Sequence, residues 1–153
     1  MENRLVSILK GKVVIVGIGN PLRGDDGFGP YFVELLQNKT TAVCIDAGSA
    51  PESYIGKIIK KNPDTILIVD IVHLELQAGE FRVLEKSEIL KSGFTTHDLS
   101  PRMFMDHLEQ GIKAKVFMLG VQPQSIQFGD EMSEPVKKTA EQLAMMIMET
   151  LYA

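Results

Sequence analysis

Cysteine is almost missing from this chain, and the single one, Cys44, rules out an internal disulfide framework. That scarcity fits a reducing, cytoplasmic setting. Cys44 lies inside an apolar run, so an inert buried thiol is expected rather than a nucleophile. Long apolar runs are absent too. Nothing approaches the eighteen or more residues of a membrane-spanning helix, and Met1-Glu2-Asn3-Arg4 lacks a signal-peptide layout. Positive charge is in short supply: 16 Lys and Arg face 20 Asp and Glu, a net charge of −4. A nucleic-acid or anionic-membrane partner would want a basic face, so both are disfavoured. Internal repeats and low-complexity segments are missing, as are the HExxH zinc helix, the G-x-S-x-G elbow and the Gly-Lys-Ser/Thr of a Walker loop.

What remains is ordinary for a globular protein: 44% hydrophobic and 24% charged residues over 153 positions, one domain spanning 1–153 with 1–11 as a lead-in segment. Its organising stretch is Gly17-Ile18-Gly19-Asn20-Pro21-Leu22-Arg23-Gly24-Asp25-Asp26-Gly27-Phe28-Gly29. The apolar run Val13 to Val16 before it reads as a buried strand, and Tyr31 to Leu36 after it as a helix. Such a turn delivers Asp25 and Asp26 to the carboxyl end of a first strand, where open α/β sheets bind ligands. A dinucleotide site would need a glycine where Leu22 stands, and two aspartates would repel a pyrophosphate, even though Asp46 ends the second strand where a ribose-binding acid could sit. A carboxylate site for a cation, a water or a substrate group fits better. One of the two aspartates is expected to cap the following helix, leaving the other for chemistry.

In chain order the pattern predicts strands at Lys12 to Ile18, Thr41 to Ile45, Thr65 to Val69, Glu80 to Leu84 and Lys115 to Val121. Helices are expected from Gly27 to about Gln37, from Pro51 to about Lys61, from Ser100-Pro101 to Gln110 with Gly111 beyond its end, and after Ser133. Ser87 to Lys91 reads as a short helical turn. Only about ten residues separate the third and fourth strands, barely enough for a parallel crossover, so the fourth is expected to be antiparallel in a mixed sheet. Leu143, Met146, Ile147 and Leu151 repeat at helical spacing on the inner face of the last helix, and Met145, Met146 and Met148 read as core filler.

Asp26, Asp46 and Asp70 follow or end three successive strands and are expected along one rim of the sheet. There they would repel one another unless a cation, a proton or a basic partner offsets them. His97, in a loop before a helix, could return to that rim. Two carboxylates and an imidazole make a three-ligand metal set with an open position, for which chemistry alone would name zinc or non-haem iron(II). His73 and His107 read as surface or half-buried residues.

The stretch 17–29, Asp-Ala-Gly-Ser-Ala-Pro-Glu at 46–52, Leu-Ile-Val-Asp at 67–70, Thr-Thr-His-Asp-Leu at 95–99 and Leu-Gly-Val-Gln-Pro at 119–123 together resemble the hydrogenase maturation endopeptidases. The likeness runs from about residue 12 to 150, in order, and is nearest the branch serving formate-hydrogenlyase-type, energy-converting nickel–iron hydrogenases. It implies a three-layer α/β/α fold on a five-stranded, mostly parallel mixed sheet with one antiparallel strand. It implies a hydrolase, an aspartyl-type endopeptidase that removes the C-terminal extension of the hydrogenase large-subunit precursor once nickel is inserted. The implied metal ligands are Asp26, Asp70 and His97, with Asp26 and Asp70 catalytic. Asp46, with Gly48 and Asn20, is implied in substrate recognition. Nickel would come with the precursor, and a monomer is the default. Two rival functions remain at this level: a nickel-site chaperone without proteolysis, and a nucleotide-binding oxidoreductase, which has no need of the 26/70/97 set.

Overall fold

A computed structural model describes residues 2–92 and 101–152. Five strands, β1 (Val13–Ile18), β2 (Val43–Gly48), β3 (Thr65–Ile71), β4 (Phe81–Glu85) and β5 (Lys115–Val121), form one sheet in the order β2-β1-β3-β5-β4. The four pairings are parallel except β4 with β5, which is antiparallel, in agreement with the short gap before β4. Every residue of β1 and β3 is buried, as expected for central parallel strands covered on both faces.

Strand alternation sorts the core into two layers. Ile15, Leu67, Val69 and Leu119 pack with Leu5 of α1 (Glu2–Ile8), Phe28, Phe32 and Leu36 of α2 (Phe28–Leu36), and Val136, Leu143 and Ile147 of α6 (Glu134–Thr150). Val14, Val16, Ile66, Ile68 and Met118 face the other way, onto Ile58 of α3 (Ile55–Lys60), Ile89 of α4 (Lys86–Ser92) and Phe104, Met105 and Leu108 of α5 (Pro101–Gly111). The result is the expected α/β/α sandwich. The lead-in is part of it: Leu5 is wholly buried and Leu9 nearly so.

Glycine sets the spacing between α2 and the sheet. A Cβ on Gly29 would stand 2.3 Å from the Ile18 carbonyl oxygen and 2.8 Å from that of Val69, and one on Gly17 would stand 2.4 Å from the Gly29 oxygen. Only without side chains can the start of α2 lie against the ends of β1 and β3.

Several local expectations shift. Strand β2 begins two residues later than predicted and runs on through Asp46 to Gly48. The second predicted helix is a 3-10 turn, Pro51–Tyr54, continued by α3. Gly111 is the last residue of α5 rather than a left-handed residue beyond it; its missing Cβ makes room for Ile59, whose Cδ1 would be 2.3 Å away. Ser133 stands at the N-cap of α6 but makes no side-chain cap bond, because its hydroxyl is engaged elsewhere. On α6, Leu143 and Ile147 are buried, Met146, Met148 and Leu151 are half-buried against the core, and Met145 is exposed, so it is not filler.

Candidate functional site at the switch point of the sheet

In a sheet ordered β2-β1-β3-β5-β4 the chain leaves β1 toward one edge and β3 toward the other. The crevice beyond the carboxyl ends of β1 and β3 is therefore the topological switch point, the usual ligand position of open α/β sheets. Two carboxylates arrive there. Asp70 is the sixth residue of β3 and 1% exposed, its Oδ1 accepting a hydrogen bond from the Ile71 N–H at 2.8 Å. Asp26 sits in a 3-10 turn, Gly24–Gly27, that packs against β3. It is 7% exposed, and its Oδ2 accepts the Asn20 N–H at 3.0 Å. Asn20 also folds the turn, its Oδ1 accepting from Leu22 N–H and its carbonyl from Arg23 N–H. Asn20 thus orients Asp26 from its backbone and shapes the loop with its side chain.

Asp46 shares the rim but not the face. It alternates with Ile45 and Ala47 of the α3/α5 side, so it lies with Cys44 on the α2/α6 side, whereas Asp70 is in phase with Ile66 and Ile68. The three acids are therefore not gathered in one cluster. Asp46 is exposed, and its Oδ1 accepts the Gly48 N–H at 3.0 Å; Gly48, at φ +56, passes its carbonyl to Gly19 N–H at 2.9 Å. This closes the ends of β1 and β2, where the register shifts between Gly17 and Ile18. No side chain could stand easily at Gly48, yet nothing lies within 4 Å of where one would project, so the position opens outward.

Asp25 takes a role other than the helix cap or chemical group expected of the pair. The N-cap position of α2 is Gly27, so neither aspartate stands there. Asp25 is 0% exposed and reaches across the chain: Oδ2 accepts Gln124 N–H (2.7 Å), Ser125 N–H (3.2 Å) and the Ser133 hydroxyl (2.9 Å), and Oδ1 accepts Ser133 N–H (2.7 Å). Its own N–H donates to the Ser125 carbonyl. The loop between β5 and α6 is thereby clamped to the Asp26 turn. Gln122 does similar service for the segment after β3, its Oε1 accepting Leu74 N–H at 2.6 Å. A polar amide directly behind a buried strand and ahead of a proline was the only sequence signal for it.

His97, the predicted imidazole ligand, and the Ser100 cap lie outside the described residues. Among the described residues no group of three His, Cys, Asp or Glu side chains could hold a metal. Asp26 and Asp70 bring carboxylate oxygens suited to a divalent cation; a nitrogen donor would have to come from outside that set. His73 and His107 are exposed, as predicted. Cys44 is half-buried rather than enclosed as expected, and burial lifts its thiol from an ordinary 9.0 to about 11, which keeps it protonated at neutral pH. Lys86 pairs with Asp106 and with Glu109 at 3.1 Å, tying α4 to α5.

Beside the switch point runs an open groove of about 650 Å³. Its lining includes Gly24 and Gly27, which flank the two aspartates, Tyr31 and Glu34 of α2, Asp46, and Asp130 to Met132. Asp26 and Asp70 are not among its lining residues.

Comparison with known proteins agrees with this architecture. The profile of the HycI hydrogenase maturation protease family matches residues 30–150. The hydrogenase 3 maturation protease of Escherichia coli K12 is 36% identical over 131 residues, covering 84% of this chain and 83% of that one. The crystal structure of the nickel–iron hydrogenase maturation protease HycI from Thermococcus kodakarensis KOD1 superposes with a TM-score of 0.90 at 34% identity, covering 98% of this chain and 99% of that one. The solution structure of the endopeptidase HycI from Escherichia coli gives 0.79 at 31% identity, with 91% and 90% covered. A glycine turn that buries one aspartate at the switch point, a second buried carboxylate near the end of β3, and similarity in sequence and fold over most of the chain lead to one conclusion: the chain belongs to the HycI hydrogenase maturation protease family.

Proposed function

We propose that this endopeptidase removes the C-terminal extension from the precursor of a nickel–iron hydrogenase large subunit, reading the nickel already installed in that precursor. The observation that supports it most is the pair Asp26 and Asp70, two buried carboxylates at the switch point of a fold shared with hydrogenase maturation proteases. Nickel belongs to the substrate here. Asp26 and Asp70 would offer it oxygen donors, His97 a nitrogen donor, and cleavage would wait for metal loading. A loaded nickel can polarise a carbonyl. Independently of the metal, Asp26, whose Oδ2 accepts the Asn20 N–H, would take a proton from an attacking water. Asp46, exposed in the groove wall beside Gly48, would contact the precursor. The protein would act in the cytoplasm as a single chain; among the described residues no helix is long and apolar enough to cross a membrane.

Intact-mass analysis of a large-subunit precursor, incubated with this protein with and without nickel loading, tests the reading. Loss of a C-terminal peptide from the loaded precursor alone supports it. Asp26→Asn and Asp70→Asn proteins should fold and fail to cut. Retained cutting by both removes the two carboxylates from the mechanism, and binding without any mass change favours a docking role over proteolysis.

A further inference from the structure

Leu22 and Phe128 are large apolar side chains left 62% and 77% exposed, and they stand on neighbouring loops. The Gly129 N–H donates to the Leu22 carbonyl at 2.8 Å, joining the two tips. Scattered exposed leucines need no explanation, but a pair on two hydrogen-bonded loops does. The loops are held rather than free. Asp25 clamps their bases, and within the loop that carries Phe128 the Ser125 hydroxyl donates to Asp130 Oδ2 at 2.8 Å. A buried carboxylate is thus committed to keeping an apolar tip in place at the surface.

Next to this tip lies the 650 Å³ groove, and its chemistry is one-sided. Glu34, Asp46, Asp130 and Glu131 line it together with apolar residues that include Tyr31 and Met132, and no described lining residue is basic. In a chain of net charge −4, four acids around one cleft make a local negative potential that draws in cations and repels acidic segments.

We propose that the Leu22–Phe128 tip and the acid-lined groove form the docking surface for the precursor's C-terminal extension, and that they select an extended segment carrying lysine or arginine next to apolar side chains. Apolar side chains of the segment cover Leu22 and Phe128, and its cationic groups lie along Glu34 and Glu131. Gly24 and Gly27 of the turn that carries Asp26 line the groove, so a segment lying in it would pass against that turn. This rests on the function proposed above and adds the part of the precursor that is gripped and the charge it must carry.

The test is a binding titration of nickel-loaded precursor against the full-length protein, read by fluorescence anisotropy and separate from cleavage. Two double variants are compared with the wild type: Leu22→Ser with Phe128→Ser, and Glu34→Lys with Glu131→Lys. All four positions are exposed, so the thermal midpoints should stay near that of the wild type. Each pair should weaken binding at least about tenfold, the loss expected when a central contact of an interface is removed. The charge-reversed protein should regain affinity for a precursor whose C-terminal lysines and arginines are replaced by glutamate, while the wild type loses affinity for it. Equal binding by all three proteins, no rescue by the charge-swapped precursor, or no binding by the wild type overturns the proposal. A wild type that binds in this pattern but releases no peptide refutes the protease reading and leaves the surface standing.

Discussion

Replacing Asp25 by asparagine changes a single oxygen to nitrogen, and the structure states what that should do. The carboxylate accepts four hydrogen bonds, three on Oδ2 and one on Oδ1, three of them from backbone N–H groups. An asparagine has only one acceptor oxygen. With that oxygen in the Oδ2 place, the amide NH2 points at the Ser133 N–H from 2.7 Å, donor against donor. Flipped, it faces Gln124 and Ser125 N–H instead, and only the Ser133 hydroxyl can turn to accept. At least one enclosed N–H loses its acceptor, at about 1–3 kcal/mol, and the remaining bonds lose their charge assistance. Relief from burying a carboxylate offsets part of this, leaving a net loss of about 2–3 kcal/mol. In a domain of this size each kcal/mol shifts the melting temperature by about 2–4 °C, so a fall of about 5–10 °C is expected. Urea unfolding gives the global loss. Hydrogen exchange at Gln124, Ser125 and Ser133 gives the local one, which should exceed it because the loop can open while the sheet stays folded. An Asp25→Asn protein with the wild-type urea midpoint and unchanged protection at those three amides would refute the clamp.

Further expectations follow from the same geometry. Gly29→Ala places a methyl 2.3–2.8 Å from three backbone atoms that cannot move independently, so it should cost about 3 kcal/mol or more, visible as a lowered urea midpoint or loss of soluble protein. Phe28→Ala empties a wholly buried site and removes a ring stacked 5.5 Å from Phe32, a loss of about 3–5 kcal/mol by the same measurement. Cys44, raised to about 11, should react with iodoacetamide at pH 8 roughly a hundredfold more slowly than an unperturbed thiol, since each unit removes about nine-tenths of the remaining thiolate. Because folding raises that pKa, the folded state holds the proton more tightly. Its contribution is complete below pH 9 and is lost as the pH climbs through about 11, so a Cys44→Ala protein should show a shallower alkaline decline in melting temperature.

Much of the scaffold was legible because it rests on local patterns. Thr65-Ile66-Leu67-Ile68-Val69 could only be a central strand, and the brevity of the link to β4 fixed that strand's direction. The signals that failed were local signs with distant causes. Gly111 looked like a helix stop but is a gap for Ile59, and Ser133 looked like a cap but serves Asp25. Met145 lies off the 143/146/147/151 spacing and faces outward, because methionine identity carries no information about which side of a helix is covered.

Taken alone, the sequence determined the layering, the mixed sheet, the delivery of Asp26 and Asp70 to strand ends, and the family. Periodicity, turn chemistry and motif order all act over a few residues and can be read there. Only the tertiary structure separated the two adjacent aspartates, giving Asp25 to a loop a hundred residues away and leaving Asp26 at the switch point. It alone set Asp46 and Asp70 on opposite faces of one rim, and brought Leu22 beside Phe128. A carboxylate carries the same chemistry wherever it stands in a sequence. Which donors meet it, and which face it takes, depends on packing between segments far apart in the chain.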